Sequence, residues 1–290
     1  MSVTIIMWIS FITNLFLSII KIVIGYIFNS GALIADGVHS CSDLTTDVIA
    51  VVGATLSKKP ADTKHPYGHG KIEYLTSLII GVVILFLGLS IIGSSFNRKI
   101  VVPSIVVAIV TVFTIIAKYI LSSFLIKEGK IQKNNILISS GKESRTDVVS
   151  SIVVLISSVA MQFSNKINFL KYADIVAMII VGIFIVRVGF LILKENISIL
   201  IGECETDEEI INNLKTIILD FKNIKKIDKI NLLKYGSYYE LTCEISIDSN
   251  LSFIDAHSTV HGVEDMIRKD NDKIKYITIH ANPNDSMVHL

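Results

Sequence analysis

Cysteine is scarce in this chain of 290 residues: there are three, Cys41, Cys204 and Cys243, with no CxxC spacing among them. That argues against a disulfide framework and against a thiolate zinc cluster. Charge is thin as well. Asp, Glu, Lys and Arg make up 18% of the chain and nearly cancel, to a net +1, where an ordinary soluble domain is about a quarter charged. The balance leaves no electrostatic footprint for nucleic acid. No internal repeat, low-complexity tract or HExxH motif is present. The N-terminal stretch lacks a basic n-region and a small-residue cleavage site, so its first apolar run is expected to persist as a helix.

Apolar residues dominate what is there. They make up 51% of the chain, and mean hydropathy is +0.61. A helix needs about 20 apolar residues to cross a hydrocarbon core of about 30 Å. Runs of that kind occur near 5–28, 33–56, 74–96, 101–126, 136–162 and 173–194, which predicts an α-helical membrane protein with about six transmembrane helices. Lys58, Lys59, Lys64 and Lys71 follow the second span, and Lys127, Lys130 and Lys133 follow the fourth. Arg98, Lys99, Lys166 and Lys171 fall on the other side. The bias puts both termini in the cytoplasm.

Composition changes near residue 205, where charge density rises and apolar runs shorten. Thr206 and Glu209 have capping-box spacing. Ile210, Leu214, Ile217, Ile218 and Phe221 repeat at helical period after them. Residues 225–233 and the alternating Tyr239, Leu241, Cys243, Ile245 and Ile247 read as strands. A helix over 253–269 and a strand over 273–280 complete an α-β-β-α-β order. The expected division is therefore a membrane domain over 1–204 and a small α+β domain over 205–290. The latter, at about 85 residues, can hold a modest core.

The second and fifth spans carry ionisable residues. Asp36, His39, Asp43 and Asp47 recur at three- or four-residue steps, which puts them on one helix face. Glu143 and Asp147 are four apart on the fifth span, with Ser140, Ser144 and Ser151 near the same stripe. A charge at the bilayer centre costs about 2.5–3.5 kcal/mol on insertion scales, so several need a shared partner. A divalent cation is one. At 1.5 Å per residue, Asp43 lies roughly 15 Å from one membrane face and Asp147 roughly 20 Å from the other, near the depth where transporters bind cargo. His39, Asp43, Glu143 and Asp147 offer one nitrogen and several oxygens, a set suited to Zn²⁺, Mn²⁺ or Fe²⁺ rather than copper(I). The competing reading pairs the carboxylates with Lys142 or Arg145 for packing, and has Asp36 and Asp47 solvated near helix ends.

The loop PADTKHPYGHGK places Asp62, His65 and His69 among turn residues, a weak zinc pattern by itself. In the tail, His257 and His261 are four apart on the helix face opposite Val260 and Val263, and His280 ends the last strand. Cys243 reads as core. Lys21 and Asn14 are expected to snorkel or to bond across helices.

The stretch SGALIADGVHSCSD, the loop PAD-x2-HPYGHGK and the SRTD of the fifth span resemble the cation diffusion facilitator family of zinc, iron and manganese efflux transporters. The resemblance covers nearly the whole chain. It implies a metal/proton antiporter, not an enzyme, and no resident cofactor beyond the transported or bound Zn, Mn, Fe, Co or Cd. It implies a homodimer with divalent metal and protons as partners, beside the lipid bilayer that the apolar runs require. The heavy use of Ile, Lys and Asn suggests an AT-rich bacterial genome, which favours the plasma membrane. It maps a central site onto His39, Asp43, Glu143 and Asp147, and a loop site onto Asp62, His65 and His69. A cytoplasmic site would fall on Asp228, Glu244, His257 and His280, in a tail that also dimerises. Glu143 stands where the zinc transporters usually have His, and Asn282 where an Asp is common. The alternatives are a metal sensor or scaffold without flux and an intramembrane metalloenzyme; no general base or oxyanion set for the latter is evident.

Overall fold

The computed structural model describes residues 2–57, 59–132 and 134–284, apart from the side chains of 46–51, 54 and 135. Lys58, Lys133 and the Asp47 side chain, all used above, lie outside the described residues. Six long helices lead the chain: α1 (Val3–Ile27), α2 (Gly31–Leu56), α3 (Ile72–Phe96), α4 (Ile105–Ile131), α5 (Asn135–Gln162) and α6 (Ala173–Ile201). A short 3₁₀ turn, Asn168–Tyr172, precedes α6. The tail follows as α7 (Glu208–Leu219), β1 (Ile224–Tyr235), β2 (Tyr238–Ile247), α8 (Phe253–Asp270) and β3 (Ile274–Pro283). This is an α-helical multi-pass membrane protein with a small α+β domain at its C-terminal end. Among the described residues five helices, α1 and α3 to α6, are long and apolar enough to cross a membrane. α2 is as long, at 26 residues, but its acidic and hydroxyl residues dilute the apolar run.

Element ends follow local chemistry. α4 starts later than its apolar run because Pro103 precedes it and the Ser104 hydroxyl caps it, accepting from the Val106 N–H at 3.3 Å. It also ends later, so Lys127 and Lys130 sit on its last turns rather than in a loop, where the helix dipole favours cations. Asp207, not Thr206, caps α7: its carboxylate accepts from the Glu209 N–H at 2.9 Å. The carboxylate outcompetes the neighbouring hydroxyl because it carries full charge against the helix N-terminus.

The chain forms two compact units, Met1–Ile49 with Ile79–Leu193, and Ala50–Leu78 with Lys194–Leu290. In the first, Ala32, Leu33, Ile80, Ile84, Val107, Val154, Val181 and Ile185 form the central core. Two glycines let α3 and α6 approach closely. A Cβ on Gly88 would lie 2.8 Å from the Val186 nitrogen, and one on Gly189 would lie 2.7 Å from the Leu85 nitrogen, the small-residue contact common between membrane helices. The start of α2 is held by buried Asp174 of α6. Its carboxylate accepts from the Ser30 hydroxyl at 2.9 Å, the Gly31 N–H at 2.8 Å and the Ala32 N–H at 3.2 Å. Three of the donors that a helix start leaves unpaired or near its cap are thus tied to a neighbouring helix.

In the second unit, β1 and β2 form an antiparallel hairpin, and α8 crosses over so that β3 pairs with β2 in parallel. Gly236 supplies the φ of +66° that the two-residue turn demands. Leu214, Ile218, Leu232, Leu241, Cys243, Ile245, Val263 and Ile267 make its core. Burial pushes the Cys243 thiol up to about 12, so it stays a protonated core residue, as its alternation predicts.

The hairpin turn also holds the loop between α2 and α3. The Tyr238 hydroxyl donates to the Tyr67 carbonyl at 2.7 Å and accepts from the Gly70 N–H at 3.0 Å. The Gly236 N–H donates to the Tyr74 hydroxyl at 2.8 Å. A Cβ on Gly70 would lie 2.1 Å from the Tyr235 carbonyl oxygen. In Tyr238→Phe both hydroxyl bonds vanish and a buried N–H is left unpaired, a cost of about 1–3 kcal/mol. The expected result is faster hydrogen exchange at the Gly70 amide with the tail core unchanged. Unaltered exchange at Gly70 would show that the hydroxyl does not hold the loop.

Candidate metal centre

Helical spacing turns one face of α2 toward α5. The ligand atoms of His39, Asp43 and Asp147 come within 4.8 Å of one another. His39 Nδ1 is 3.9 Å from Asp43 Oδ1, and His39 Nε2 is 4.0 Å from Asp147 Oδ1. Both separations exceed a hydrogen bond. They suit donors that share a cation sitting roughly 2.0–2.2 Å from each. Glu143 does not join that close cluster, but it lines the same cavities. One is a cleft of about 390 Å³ reached by His39, Asp43, Glu143, Asp147 and Arg187. The other is a small polar cavity of about 30 Å³ on the side of Asn14, Ser140 and Ser144.

Two lysines complete the centre, and neither Lys142 nor Arg145 takes part. Those two are exposed, with the Arg145 guanidinium over the Tyr119 ring. Asp147 instead pairs with Lys118 of α4, whose ammonium also donates to Ser40 Oγ at 3.3 Å. Asp36 is fully buried rather than solvated, 2.7 Å from Lys21 Nζ. Its two oxygens accept from Ser150 at 2.6 Å and Ser151 at 2.7 Å. Lys21 bonds across helices, to Ser151 at 2.9 Å and Ser40 at 3.4 Å, instead of snorkelling. Ser40 therefore touches both ammonium groups. Lys118 was not singled out by the sequence reading, although a signal exists. Thr111, Thr114, Lys118 and Ser122 recur at helical steps and are all buried, a polar stripe on an otherwise apolar helix.

The loop residues gather too. Asp62, His65 and His69 form a second cluster within 4.8 Å. Asp62 Oδ1 accepts from the His65 N–H at 2.8 Å and the Lys64 N–H at 2.9 Å. The His65 backbone bond, more than any other contact, holds the Asp62 carboxyl below its usual range. His69 Nε2 lies 3.5 Å from Asp62 Oδ2, while its Nδ1 is 3.1 Å from the Pro60 carbonyl. A carbonyl on one ring nitrogen leaves the other to face a metal.

The four tail candidates are not brought together: among the described residues, no three of Asp228, Glu244, His257 and His280 cluster as the other two groups do. Glu244 and His280 are register partners on β2 and β3. Asp228 is engaged by Ser246 at 2.7 Å and Lys226 at 2.9 Å. Of its contacts, the Lys226 bond does most to hold its carboxyl below the usual range. His257 is exposed and meets His261 edge to face at 4.4 Å.

Residues 7–201 match the family model of the cation efflux transmembrane domain, and residues 206–284 match that of the cation efflux protein, cytoplasmic domain. Similar full-length relatives include the manganese efflux system protein MneP of Bacillus subtilis, 29% identical over 95% of this chain and 94% of the relative. The manganese efflux system protein MneS of the same organism is 26% identical over 95% and 93%. The magnetosome protein MamB of Paramagnetospirillum magneticum is 24% identical over 96% and 93%. With the transmembrane match spanning most of the chain and the tail match following it, the chain belongs to the cation diffusion facilitator family of cation efflux proteins, and it is a divalent metal efflux transporter, not an enzyme.

Proposed function

We propose that the chain exports manganese-class divalent cations from the cytoplasm in exchange for protons, with His39, Asp43, Glu143 and Asp147 as the transport site. The observation that carries the reading is the convergence of buried His39 and Asp147 with half-buried Asp43 at one point between α2 and α5. Glu143 on the wall of the same cleft makes the donor set one nitrogen to three carboxylates. An oxygen-rich set favours Mn²⁺ over the softer ions, and Zn²⁺ and Fe²⁺ are its nearest competitors. Two manganese efflux relatives point the same way.

Proton exchange follows from ligand chemistry. A carboxylate or imidazole binds metal only when deprotonated, so loading and protonation exclude each other. In this reading residues 1–204 form the transport domain in the plasma membrane, with both termini cytoplasmic. Residues 205–290 pair with a second copy of the chain. Pairing would let Asp228, Glu244, His257 and His280 meet their counterparts, which one chain by itself does not bring about.

The test is metal uptake into inside-out vesicles for Mn²⁺, Zn²⁺, Fe²⁺, Co²⁺ and Cd²⁺. Mn²⁺ should enter fastest, and an acidic lumen should accelerate it. Flux that ignores the imposed pH gradient removes proton exchange. Binding without flux turns the chain into a sensor or scaffold.

A further inference from the structure

We propose that Lys118 is a tethered counter-ion of the transport site. Its ammonium occupies the Asp147 carboxylate when no metal is bound, and withdraws toward Asn14 in the adjoining polar cavity when a divalent cation loads. The inference rests on the transport-site reading above.

Position comes first. Lys118 pairs with one oxygen of Asp147 while the other faces His39 at 4.0 Å. A metal that takes Asp147 as a ligand must therefore compete with the ammonium for the same carboxylate. Lys118 is 1% exposed, so the displaced ammonium cannot simply move into water. It needs a second polar berth within reach of its own stem.

The small cavity offers one. Lys118, Asn14, Ser140, Ser144 and Asp147 all line it. Asn14 Oδ1 is buried and has no hydrogen-bond partner among the described residues. A buried amide oxygen without a donor calls for an explanation, and an ammonium has three donors and no acceptor. Ser40, whose Oγ is already 3.3 Å from Lys118 Nζ, lines the same cavity and offers the ammonium a further acceptor there.

Charge points the same way. Lys118 puts a positive charge against Asp147, so the site without it is more negative by one and holds a divalent cation more tightly. The lysine thus sets how readily the site lets go.

The experiment measures Mn²⁺ affinity of purified, monodisperse full-length protein by electron paramagnetic resonance of the free ion, together with KM and kcat for Mn²⁺ in proteoliposomes. Lys118→Met should bind Mn²⁺ at least tenfold tighter, with KM and kcat both falling. Lys118→Arg should stay near the parent. Asn14→Ala should bind several-fold more weakly, because the displaced ammonium loses its acceptor. A purely structural ion pair predicts something else: less folded protein, with unchanged affinity in what remains. Should Lys118→Met not fold, Lys118→Gln and Asn14→Ala carry the test. Unchanged affinity in Asn14→Ala and in whichever Lys118 variant folds overturns the inference. Asp43→Ala runs in parallel. If it binds Mn²⁺ as the parent does, the transport-site reading itself has failed.

Discussion

Asp43→Ala is expected to reduce metal uptake to background while leaving a folded, monodisperse protein. Asp43 is one of the three residues whose ligand atoms converge within 4.8 Å, and it lines both cavities that meet there. Losing an outer-shell partner of a metal ligand costs about 10–100-fold, so loss of a direct ligand should cost about 100-fold or more in apparent affinity. Alanine brings neither charge nor oxygen to take its place. Asp43→Glu should keep part of the flux, since it moves the carboxylate by one methylene without removing it. Asp62→Ala on the loop gives the contrast, because its cluster is separate from this one. It should leave flux within a few-fold of the parent. Parental flux in Asp43→Ala would exclude Asp43 as a transport ligand.

The second large effect is on stability. Asp36→Ala should destabilise the protein by about 3–5 kcal/mol, the usual result of stranding one partner of a buried pair. Both side chains of the Asp36–Lys21 pair are 0% exposed, and the removed carboxylate also accepts from Ser150 and Ser151. Against a typical total of about 5–15 kcal/mol, that is a large fraction. The check is the unfolding midpoint in mild detergent for Asp36→Ala, Lys21→Met and the double variant. Each single variant should lose stability, and the double should recover most of it, because no charge is then left unpaired. A loss below about 1 kcal/mol in both single variants would mean that water reaches the pair.

The helices and the site face were legible because each depends on spacing within one element. Asp36, His39 and Asp43 follow from three- and four-residue steps, and the tail strands from alternation. What the chain did not disclose, beyond the pairing of α2 with α5 through their carboxylates, is which helices lie side by side. Lys118 sits on α4, and nothing local to that helix says that its ammonium meets Asp147 of α5. Asp36 illustrates the same gap. Its depth along α2 left it open to a solvated reading, and only the packing of α1 and α5 around it closes that possibility. Competition between neighbours was also hidden: Thr206 and Asp207 both have cap chemistry, and the charged one prevails. The loop histidines were visible as a motif. The backbone bonds that lower Asp62, and the Pro60 carbonyl behind His69, belong to the turn's conformation rather than to its composition.

The clasp between Tyr238 and the loop has a consequence for the order of events during synthesis. The Gly70 amide and the hydroxyl that holds it are 168 residues apart in sequence. At roughly 5–20 residues per second a ribosome needs about 8–34 s to cover that distance. Throughout that interval α2 is already made, while the segment bearing Asp62, His65 and His69 has only its own local hydrogen bonds to hold it. A nascent chain truncated before residue 238 therefore carries those histidines on an unclasped loop, and the clasp forms only near the end of translation.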